Sequence, residues 1–162
     1  MCQQEWQLPQ KFNKPSGKGN SVLASSGPKL SVSEGGGNLM ALIPIEKLPK
    51  LHCTPLATVS IDSPKVIVEV DDELEKRFRL YFEPYQAVKI TTADCFLVEE
   101  GTIIIPQTIV HVDGSAWLNE LRKNLSIIDE TAEFLDDAKH YLVPLQDDFL
   151  EVVAWSVSVE YL

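Results

Sequence analysis

The sequence predicts an α+β fold: a mainly antiparallel sheet of hairpins, two helices packed on it, and a hairpin closing the C-terminus. Three observations carry this expectation. After Leu39 apolar and polar residues mostly alternate, the period of a half-buried strand. Gly, Pro, Asp and Ser interrupt the alternating runs at short intervals, as hairpin turns require. Helical spacing follows only Asp113-Gly114-Ser115, so the repeated strand–helix–strand order of a parallel sheet is missing.

Residues 1–38 read as a flexible extension before a single domain over 39–162. The stretch "NKPSGKGNSVLASSGPKLSVSEGGGN" is rich in Gly, Ser and Lys with few large apolar side chains. Such a segment buries too little surface to offset its ordering entropy. Its "SGKGNS" is not a phosphate loop, because Phe12 stands where the motif needs its first glycine.

Three hairpins are expected next. Val59 and Ile61, then Val66, Val68 and Val70, flank Asp62-Ser63-Pro64, which pairs 56–61 with 65–70. Phe78, Leu80 and Phe82, then Val88 and Ile90, flank Glu83-Pro84 and suggest a second hairpin. "DDELEK" ahead of it suggests a short helical turn capped by Asp71. "FLVEEGTIIIP" reads as a third hairpin around Glu100-Gly101, limited by Pro106 and extended by "QTIVHVD".

Trp117, Leu118, Leu121 and Leu125 predict a helix at about 115–124. Ser126 precedes Asp129 by three positions, like a capping box, and Ile128, Ala132 and Leu135 continue at helical spacing. A second helix at about 127–138 is therefore expected.

The C-terminal "HYLVPLQDDFLEVVAWSVSVEYL" turns at 145–148. Val143 then faces Leu150 and Tyr141 faces Val152, one apolar face, with His140 and Glu151 on the other. Beyond Ala154 the apolar set moves to Trp155, Val157, Val159 and Tyr161. Side chains alternate strictly along a strand, so this change of parity predicts a long, bent final strand joining two parts of the sheet.

Composition narrows the function classes. The chain carries a net charge of −10. Residues 1–38 hold four lysines against two glutamates, so the remainder carries −12. A body this negative repels phosphate backbones and anionic lipid, so neither nucleic acid nor membrane is the expected partner; a basic protein is. No apolar run approaches the ~20 residues of a membrane helix, and the N-terminus lacks a secretory pattern, which makes a cytoplasmic location the expectation. Cys2, Cys53 and Cys95 are scattered and odd in number, not a disulfide framework. No cofactor motif is present, and neither H-x-H nor H-E-x-x-H occurs.

Five residues are candidates for binding. His140 and Glu151 lie diagonal to one another in the closing hairpin, within reach of a salt bridge. His111 shares strand parity with Asp113 at the start of the first helix, where unpaired N–H groups face a potential anion. Trp155 belongs, with Tyr81, Tyr85, Trp117 and Tyr161, to the aromatics suited to an interface. The reading is a non-enzymatic, acidic protein-interaction or regulatory module. The alternative is a small hydrolase or metal-dependent enzyme using His111, Asp113 and Cys95, or His140 and Glu151. Self-association through the final strand is a third possibility.

Overall fold

Residues 41–96 and 107–162 are described by a computed structural model. They form one seven-stranded antiparallel sheet: β1 (Ala41–Pro44), β2 (Thr58–Asp62), β3 (Lys65–Asp71), β4 (Arg77–Thr92), β5 (Val110–Asp113), β6 (Lys139–Pro144) and β7 (Asp148–Tyr161), in the spatial order β1-β5-β6-β7-β4-β3-β2. Among the described residues one α-helix, α1 (Ala116–Ile128), packs on it. The architecture is thus mainly sheet with one helix, not an α+β fold with two. The expected extension over 1–38 and the hairpin around Glu100-Gly101 lie outside the described residues.

The β2–β3 hairpin forms as the sequence predicts, with Asp62 opposite Lys65 and Val59 opposite Val68. The second expected hairpin does not form. β4 runs unbroken through Pro84, whose peptide with Glu83 is cis. Pro84 lacks an N–H, and the β4–β7 ladder passes from Glu83–Ser156 to Tyr85–Ala154 without using it; a register shift follows at Tyr85/Ala87. A proline at such an irregularity costs no ladder bond. The helical turn expected at "DDELEK" is a tight loop. Its cap is Asp72, not Asp71: the Leu74 and Lys76 N–H groups donate to Asp72 Oδ1 at 2.8 and 2.9 Å.

The closing hairpin has the expected register, Tyr141 opposite Val152 and Val143 opposite Leu150. β7 then continues far past its partner. β6 reaches only to Ala154, while β4 pairs with β7 from Asp148 to Tyr161. β3 in turn covers β4 only from Arg77 to Phe82. Two long strands, paired with each other along nearly their whole length, therefore join two half-sheets, one completed by β3 and the other by β6. The parity change is present: Val152, Ala154 and then Val157 all pack against one core, as do Phe82 and Tyr85 on β4. The odd spacing at both points lets the sheet curl around fully buried Phe78, Leu80 and Phe82. The segment after β1 bridges the two ends of the curl. Its Leu51 N–H donates to the Gln107 carbonyl, and its His52 N–H to the Asp71 carbonyl.

Gly114 makes the left-handed turn into α1 (φ 69°), and Ser115 caps the helix. Leu118, with Leu121 and Leu125, packs onto Val153 on the outer face of the sheet. The helix runs past its expected end. Ser126 donates to the Lys123 carbonyl from inside it and does not cap a second one. Residues 129–138 form isolated turns instead, with Asp129 accepting from the Thr131 N–H and hydroxyl. A helix there would set Asp129, Glu130, Glu133, Asp136 and Asp137 at repulsive i,i+3 and i,i+4 spacings. Leu135 still reaches its buried position from the loop. No helix among the described residues is long and apolar enough to cross a membrane.

Candidate functional site

The β4–β7–β6 ladder brings a polar group beneath α1. Glu151 stands opposite Lys89 on one side and Leu142 on the other; His140, opposite Val153, is its diagonal neighbour. Alternation points His140, Glu151 and Val153 to the outer face, and α1 closes over them. His140 and Ser115 are each 5% exposed and Glu151 9%. Unpaired, such groups would be costly to bury.

They form a chain of contacts. Ser115 Oγ lies 2.8 Å from His140 Nδ1 and accepts the Leu118 N–H at 3.0 Å. The serine oxygen, having accepted there, still has its hydroxyl proton and a second lone pair to share with Nδ1. Nε2 lies 3.2 Å from Glu151 Oε1. The approach is off line, so Nε2 lacks a directed hydrogen bond and the contact is electrostatic. Lys89 Nζ stands 3.8 Å from the same carboxylate oxygen and 3.9 Å above the Trp117 ring. Trp117 meets the His140 ring edge-on at 5.1 Å. Burial alone pushes the Glu151 carboxyl up; contact with His140 and the charges of Lys89 and His140 together outweigh it, and the carboxyl sits below its ordinary value.

The chain orders serine, imidazole and carboxylate as a proton relay would, but its serine is not placed to attack a substrate. Ser115 is buried, and its oxygen already caps α1. That cap also satisfies one of the helix-start N–H groups considered for an anion.

The other candidates are dispersed. His111 pairs with Tyr141 and Ile43, on the face opposite His140. Asp113 is exposed at the end of β5, and among the described residues it has no hydrogen bond to His111. Cys95 is exposed in a 3-10 turn over Ala93–Cys95. The Cys–His contact found among the described residues is instead Cys53 Sγ to His52 Nε2, at 3.9 Å. Trp155 donates its indole N–H to the Phe134 carbonyl. Among the described residues no three His, Cys, Asp or Glu side chains gather as metal ligands. The structure thus joins His140 to Glu151 and adds Ser115, Lys89 and Trp117. Lys89 was hidden from the sequence reading because its partner follows from an unbroken β4, not a hairpin at Pro84.

A second feature is a cleft of about 410 Å³ where the start of β2 faces the β6–β7 turn. It is lined by residues 55–59, Arg77, Ile90, Leu145, Gln146, Asp147 and Asp148. Leu56 (73%) and Ile90 (56%) are exposed there. Arg77 is neutralised by Asp71 at 3.1 Å and also donates to the Leu56 carbonyl. Asp147 and Asp148 have no ion-pair partner among the described residues, so the cleft is locally negative.

Comparison with known proteins finds no matching family model, no matching curated protein and no matching solved structure.

Proposed function

We propose that this chain is a non-enzymatic protein-interaction module for a basic partner, received at the cleft between the start of β2 and the β6–β7 turn. One observation carries the reading: two unpaired aspartates stand beside exposed Leu56 and Ile90, on a body that carries −12 outside residues 1–38. A cationic side chain with an apolar neighbour complements that surface, and the wider negative field steers such a partner in. The test is capture from the native host at low salt with wild-type protein and an Asp147→Lys, Asp148→Lys variant. The expected result is a basic protein held by the wild type, released by salt and lost from the variant. Recovery of no salt-sensitive partner, or equal recovery by the variant, contradicts the proposal.

The second reading, a small hydrolase, draws on the contiguous Ser115, His140 and Glu151. The burial and capping role of Ser115 favour the interaction reading over it. Labelling of Ser115 by a fluorophosphonate probe would reverse that preference; no labelling is expected.

A further inference from the structure

Among the described residues, the outer half of β7 presents an open edge. β6 stops opposite Ala154, so residues 155–161 pair with β4 on one side and with no other strand among the described residues. Soluble proteins usually guard such edges with proline, lysine, a bulge or a covering segment. The run "WSVSVEY" over 155–161 contains neither proline nor lysine. Its one charge, Glu160, is drawn back onto its own sheet: it accepts from the Tyr81 hydroxyl at 2.5 Å and stands opposite Arg79.

The run is also nearly symmetric about Ser158. If two copies pair antiparallel through this residue, Val157 meets Val159, Trp155 meets Tyr161, and Ser156 meets Glu160. Apolar and aromatic residues of this kind are favourable cross-strand partners, and no like charges oppose each other. Moving the centre by one residue in either direction leaves Trp155 or Tyr161 without its match. Both rings are already held, Trp155 by the Phe134 carbonyl and Tyr161 by Asp72, so little side-chain freedom remains to be lost on pairing.

We propose that the chain forms a two-fold dimer by antiparallel pairing of residues 155–161, centred on Ser158. The interface joins the two sheets edge to edge and leaves the cleft at Asp147 and Asp148 free, so it is independent of the proposed partner site. Each copy carries −10, so repulsion between the bodies opposes the dimer, and added salt strengthens it.

Two experiments test this. Sedimentation of the full chain is expected to give twice the monomer mass, with a dimer fraction that rises with concentration and with salt. Val159→Lys, at an exposed position, is expected to return the monomer mass with an unchanged circular dichroism spectrum. Independently, with Cys2, Cys53 and Cys95 replaced by serine, Ser158→Cys is expected to form an inter-chain disulfide under mild oxidation faster than Ser156→Cys does. A monomer at every attainable concentration, or Ser156→Cys linking as fast as Ser158→Cys, overturns the proposal.

Discussion

His140 Nε2 lies 3.2 Å from Glu151 Oε1 across the β6–β7 ladder, and the Lys89 ammonium, reaching in from β4, lies 3.8 Å from the same oxygen. One buried acid therefore links three strands beneath α1, and its removal leaves an imidazole and an ammonium facing a vacated site. Glu151→Ala is expected to lower unfolding stability in urea by about 1–3 kcal/mol. A loss no larger than an exposed pair would give, below about 0.5 kcal/mol, would show that the contact does little.

The same carboxyl predicts an acid response. Its folded-state pKa lies below its ordinary value of 4.5, so the unfolded chain takes up the proton first. The stabilisation is present above that ordinary value and is lost as pH falls through the folded value. Asp72, lowered chiefly by the Lys76 N–H, contributes with the same sign. The urea midpoint of the wild type is expected to fall more steeply below pH 4.5 than that of Glu151→Gln. Parallel curves would remove Glu151 from the account.

Ser115 caps α1 and satisfies His140 Nδ1 with one oxygen. Ser115→Ala is expected to cost more than the ~1 kcal/mol of a lost cap, because a buried ring nitrogen is left unpaired as well. A double-mutant cycle with His140→Leu separates the two contributions. Additive losses would mean that the serine–histidine contact carries no coupling energy.

Residues 129–138 are held by isolated turns, whereas α1 is a continuous helix through Ile128. Amide hydrogen exchange is expected to be slow in the centre of α1 and fast at Glu130 and Glu133. Protection running evenly from Leu121 to Leu135 would restore the second helix.

The closing hairpin was legible because its turn chemistry and its apolar face agree on a single register. The parity change near Ala154 was legible for the same reason: Val152 and Val157 cannot share a face on a straight strand. Two things were not. Ile128, Ala132 and Leu135 are spaced for a helix, but like-charge crowding around Glu133 overrides the spacing. Glu83-Pro84 resembles a turn locally, and only the length of β7, a non-local partner, makes β4 continuous. That same miss concealed Lys89 beside Glu151, and the double role of Ser115 depends on a helix–strand contact that spacing cannot reveal.

The continuity of β4 underlies the buried polar group, the joining of the half-sheets and the open edge of β7. Hα–Hα nuclear Overhauser contacts between β4 and β7 test it most directly. Cross-peaks are expected along the ladder on both sides of Pro84, between β7 and the Leu80–Phe82 region and between β7 and the Val88–Ile90 region. Cross-peaks joining residues 78–82 to residues 87–90 would mean that the chain turns back at Pro84, and would contradict the account.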